Sequence, residues 1–154
     1  MTIKQQLYKQ CLEFVDSRFQ TIQNTIKEIQ ESLLSVTKSS AGDKHETGRA
    51  MLQLEREKAG NQLAEIQKLK AILNKVNPEA KHQKVTLGSV VYTTQSNYFI
   101  AISAGEMVLN TEKFYAISQA TPMAQLLISK TVGDEVIFRN TTIKITQSMN
   151  CDVL

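Results

Sequence analysis

Lys38-Ser39-Ser40-Ala41-Gly42-Asp43-Lys44-His45-Glu46-Thr47-Gly48 is a short polar stretch without a large apolar residue. A long heptad-patterned segment lies on each side of it. Two helices joined by so short a connection run antiparallel, so these residues form the tip of a helical hairpin. The first helix is expected across Ile3 to Val36, where neither Gly nor Pro occurs. Val15, Phe19, Ile22, Ile26, Ile29, Leu33 and Val36 alternate spacings of four and three, the seam of a coiled coil over about three heptads. At roughly 1.5 Å per residue such a helix is on the order of 50 Å long.

The return helix is expected from Thr47 to Val76. Leu52, Ala59, Ile66 and Leu73 recur every seven residues, with Leu63, Leu69, Ile72 and Val76 as a second row. Gly60 is a flaw in this helix unless it lets the two helices approach closely. Pro78 ends the helix, because the residue before a proline is pushed out of the α region. Residues 78–83 then read as a hinge.

The period changes after Lys84. Residues 85–93 are rich in β-branched residues and read as a strand, as do 97–102 and 114–117. Thr121-Pro122 opens a short helix, with Thr121 as N-cap and Pro122 at the first helical position. Residues 135–138 and 141–145 pair around Arg139-Asn140. The fold class is therefore α+β: a coiled-coil hairpin over 1–77 with its acidic tip at 38–48, then an antiparallel sheet with one short helix over 84–154.

Composition bounds the function. The 154 residues carry a net charge of +3 and are 42% hydrophobic, which excludes wholesale disorder. The excess charge lies in residues 1–82, with 13 basic and 10 acidic side chains; residues 83–154 hold five of each. So mild a bias argues against free nucleic-acid binding, which needs a concentrated basic patch. No membrane span or leader segment is expected. Cys11 and Cys151 lie near opposite ends, and two buried or free thiols in a reducing cytoplasm fit them better than a disulfide. No nucleophilic triad or glycine-rich phosphate loop is present.

Asp43 and Glu46 are the chemical candidates. Their bland reading is a capping box at the start of the return helix. Carboxylates also suit Mg²⁺, which takes one or two from protein and keeps several waters. Two carboxylates are an incomplete metal site, so further ligands would come from a partner. His45 and His82 read as solvated histidines, and Met51 and Leu54 as core or partner-facing apolar residues.

The whole chain resembles the bacterial transcript-cleavage factors, the Gre family. Their tip motif Gly-Asp-x-x-Glu stands here as Gly42-Asp43-Lys44-His45-Glu46. Their C-terminal pattern is matched by Gly88-Ser89-Val90-Val91, by Ile117-Ser118-Gln119-Ala120-Thr121-Pro122, and by Leu126 or Leu127, Lys130, Gly133-Asp134 and Val136. Where the family continues Glu-Asn-Ala-Glu-Tyr, this chain has Glu46-Thr47-Gly48-Arg49-Ala50, without the second acid and the aromatic.

The resemblance implies a transcription elongation factor. An FKBP-like C-terminal domain would dock on RNA polymerase, and the hairpin would enter the secondary channel. Asp43 and Glu46 would reach the active centre as catalytic and metal-contacting residues, with Mg²⁺ shared with the polymerase and no cofactor held tightly. The polymerase would then cleave its own backtracked RNA near the 3′ end. The chain itself would not be an enzyme. It would be a cytoplasmic monomer. Two other readings stay open: a channel-binding regulator without cleavage, to which Arg49 and Ala50 point, and an FKBP-like prolyl isomerase.

Overall fold

A computed structural model of the chain describes residues 1–38 and 42–149, without the side chains of 37, 38, 42–46, 148 and 149. Two helices come first, α1 (Ile3–Lys38) and α2 (Gly42–Asn74). The strands follow as β1 (Val90–Thr93), β2 (Asn97–Ala101), β3 (Gly105–Leu109) and β4 (Glu112–Ser118); after helix α3 (Pro122–Leu127) come β5 (Glu135–Phe138) and β6 (Thr141–Met149). Two compact units result. One is Val15–Lys70; the other joins Met1–Phe14 to Ala71–Leu154.

In the helical unit the 4-3 spacing is the burial pattern. Val15 and Ile29 are buried, and Phe19, Ile22, Ile26, Leu33 and Val36 are half-buried. Every other residue from Asp16 to Ser35 is exposed. On α2, Ala59 and Ile66 are buried and Leu52, Leu63 and Leu69 half-buried. The helices run in opposite directions: Arg18 and Ile22 share a groove with Ile66 and Leu69, whereas Leu33 shares one with Arg49 and Gln53. Lys70 places its ammonium 3.6 Å from the centre of the Phe19 ring, and 3.9 Å from Asp16. The long lysine stem thus covers an aromatic that the seam leaves half open.

Close approach at Gly60 is not found. A Cβ built there meets no atom within 4 Å, so the glycine loosens α2 without serving the packing. Gly60→Ala should therefore stabilise the helical unit by about 1 kcal/mol, read as a higher Tm.

α1 begins with a reciprocal capping box. The Gln5 amide donates to Thr2 Oγ1 and the Thr2 amide to Gln5 Oε1, both at 3.1 Å. α2 stops at Asn74, tightened by short bonds from Lys75 N to Ile72 O and from Val76 N to Leu73 O ahead of Pro78.

The sheet has strand order β3-β4-β2-β1-β6-β5. It is mixed, not antiparallel as the sequence suggests, because β2 and β4 run parallel. The cause is β3, a strand that the sequence reading passes over. The chain leaves β2, runs to the sheet edge as β3 and returns as β4 between them. The expected strand at 85–93 shortens to 90–93. Val85 is instead tied to the segment after α3, through Val85 N to Lys130 O and Ser129 N to Val85 O. A turn follows at Gly88, where φ is +89° and an added Cβ would lie 3.2 Å from Val76 Cγ1. Both the backbone and the space call for glycine.

Each face of the sheet is covered. α3 packs Met123, Ala124 and Leu127 onto Val91, Ile100, Val136, Ile143 and Ile145. Its start is as expected: Thr121 accepts from Ala124 N, with Pro122 next. On the opposite face Val90, Phe99, Ala101, Met107, Phe114 and Ala116 are buried. The residues of this unit that can cover them are Ile3, Leu7 and Cys11 of α1 with Leu73 and Val76, all buried. Gln10 Nε2 donates to Val108 O of β3, and Tyr8 Oη to Leu73 O. The first turns of α1 therefore belong to the sheet unit, and the compact units divide within the helices instead of at 78–83. That expected hinge carries fixed contacts: Lys4 Nζ donates to Ala80 O at 2.9 Å, and Thr131 Oγ1 to Gln83 O at 3.1 Å.

Candidate functional site

Residues 39–41 separate α1 from α2, and α2 starts two residues earlier than a cap at Asp43 requires. α2 begins at Gly42, so Asp43 and Glu46 lie inside its first turns, not at its cap. Three residues apart on a helix is neighbouring spacing, and carboxylates at these positions complement the positive end of the helix dipole. The side chains of Asp43 and Glu46, and that of His45, lie outside the described residues.

Beyond the tip, α2 presents Arg49, Gln53 and Arg56 to a groove of about 740 Å³, whose apolar lining is Ile26, Leu33 and Leu63. Arg49 and Arg56 are exposed. Met51 and Leu54 are 59% and 65% exposed, which removes the core reading offered for them and leaves them facing outward. Among the described residues no three His, Cys, Asp or Glu side chains converge as a metal site.

The sheet unit offers less reactive chemistry. His82 is half-buried, and burial followed by the charge of Lys4 holds its pKa below the usual histidine value. Lys4 itself is fully buried; no signal in the sequence marks it, since a lysine in a first helical turn reads as a solvated residue. Burial pushes the Cys11 thiol up to about 12, so it is protonated and unreactive at neutral pH. Cys11 should resist thiol reagents in the folded protein and react promptly in denaturant, an outcome that absorbance labelling measures. Cys151 lies outside the described residues. Tyr92 is likewise raised to about 12, by burial and then by Glu112, and its ring meets Phe114 edge-on at 5.6 Å.

Among the described residues no helix is long and apolar enough to cross a membrane. A scan against protein-family models finds no match for this chain, and a search of curated proteins finds none either.

Proposed function

We propose that the chain is a Gre-type transcription elongation factor that stimulates RNA cleavage by RNA polymerase. The observation that carries this reading is the placement of Gly42-Asp43-x-x-Glu46 at the start of α2, next to the α1–α2 connection, in a chain whose C-terminal unit is α+β. In this reading the helices act as a coiled-coil hairpin inside the secondary channel. The sheet unit, with an FKBP-like topology, docks beside the channel entrance.

Asp43 is assigned the metal contact and Glu46 the positioning of water. Two carboxylates cannot enclose Mg²⁺, which demands six oxygen ligands. They fit as a partial set completed by the polymerase and by solvent. Bound there, the ion would supply charge stabilisation to an in-line displacement. Water attacks the phosphorus of a phosphodiester in backtracked RNA, the 3′ oxygen leaves, and the proton of water passes to solvent. The factor supplies orientation and charge and no nucleophile of its own, so it is inert towards RNA by itself.

Arg49 favours a second reading. An exposed cation stands where the family carries an acid, which suits a channel-binding regulator that does not promote cleavage. Adding the full-length protein to stalled complexes of its own polymerase separates the two. Shortened transcripts support cleavage stimulation. Unshortened transcripts, with displacement of a cleavage-competent factor, support the regulator.

A further inference from the structure

We infer that the groove between α1 and α2, which Gly60 keeps open, is a binding site for a free purine nucleotide carrying two or three phosphates. Gly60 has no role in the packing of the helices. It stands within α2, where glycine lowers helix stability relative to alanine, and a Cβ built on it meets no atom within 4 Å. It does line the groove of about 740 Å³. A side chain at position 60 would stand in that space. The volume falls within the range of small-molecule sites, about 300–1,000 Å³.

The lining divides by chemistry. Ile26, Leu33 and Leu63 form an apolar floor, and each is half-buried, so part of each is open to the groove. With only backbone at Gly60, a flat ring can lie against that floor. Arg49, Gln53 and Arg56 follow one another at spacings of four and three, which puts them on one side of α2. At 1.5 Å per residue, Arg49 and Arg56 are about 10 Å apart along the axis. Guanidinium forks bind phosphate oxygens in pairs, and two forks at this separation suit a chain of phosphates better than a single one. Among the described residues that line the groove, Glu57 alone is acidic. It repels a bare polyanion, but it accepts hydrogen bonds, and a purine nucleotide brings donors in its ribose hydroxyls and on its base. Lys27 lines the adjoining hollow, which shares Ile26 and Leu63, so three cations face one acid. The site thus fits a small molecule that joins a planar ring and hydrogen-bond donors to at least two phosphates. It stands apart from the cleavage reading, because it needs neither the tip carboxylates nor a polymerase.

Isothermal titration of the full chain with ATP and with GTP, without divalent ions or polymerase, tests this separately from the tip. At least one of the two should bind at a single site, and its nucleoside and pyrophosphate should each bind at least tenfold more weakly. Arg49→Ala and Arg56→Ala should each weaken nucleotide binding by roughly tenfold, the loss of one charge-assisted contact. Gly60→Gln separates the groove from the helix: it should raise Tm, because Gln is the better helix former, and abolish binding, because its side chain fills the space. The inference is overturned by any of four results: neither nucleotide binds at millimolar concentration, pyrophosphate binds as tightly as the nucleotide, Gly60→Gln leaves binding unchanged, or a short single-stranded RNA is held there in preference to both nucleotides.

Discussion

Asp43→Asn is expected to lower stimulated transcript cleavage by about a hundredfold, the scale seen when one preorganised charge-stabilising group is removed from an active centre. Folding should hardly change. Asp43 is the second residue of α2 and not its cap, so Asn in its place removes no capping bond. The only general loss is the interaction of a carboxylate with the helix dipole, about 0.3–1 kcal/mol. Mg²⁺, in contrast, discriminates strongly between a carboxylate and a neutral amide. Glu46→Gln makes the same comparison one turn along. Cleavage of a labelled transcript, a melting curve and polymerase affinity, measured together, separate a metal contact from a structural role. Unchanged cleavage in both variants would return the pair to helix-start residues.

The second large effect concerns stability. Leu7→Ala should cost the sheet unit about 2–5 kcal/mol, because Leu7 is fully buried among residues that cover the Val90–Phe99–Phe114 face. A fragment of residues 84–154 loses that whole cover, namely Ile3, Leu7, Cys11, Leu73 and Val76. It should fail to fold cooperatively, although the sequence suggests a free-standing domain there. Circular dichroism through a thermal scan checks both outcomes. A sharply melting 84–154 fragment would show that the sheet needs no helical cover.

Much of this architecture is legible in residue spacing. The seam from Val15 to Val36 is periodic enough that burial follows it residue by residue. Thr121-Pro122 and Arg139-Asn140 are local signals whose geometry depends on neighbours in sequence, and both act where expected. β3 is hidden for the opposite reason. Gly105-Glu106-Met107-Val108-Leu109 offers only Met107 and Leu109 to the core, and its place at the sheet edge is fixed by pairing with β4, not by its own composition. The parallel β2–β4 pair is invisible once β3 is missed. The division between units is hidden too, because α1 stays continuous while its covered surface changes from the sheet unit at Leu7 to the helical unit at Val15. At the tip, residue types and spacing identify Asp43 and Glu46, whereas the start of α2 at Gly42 moves them from cap to first turn.

The Mg²⁺ dependence of cleavage in backtracked complexes tests the assigned role of the tip most directly. If Asp43 and Glu46 complete a shared metal site, the wild-type protein should lower the Mg²⁺ concentration giving half-maximal cleavage. Asp43→Asn, at equal polymerase occupancy, should return that concentration to the value without factor. An identical Mg²⁺ dependence with wild type, with Asp43→Asn and with no factor would contradict a metal-contacting tip.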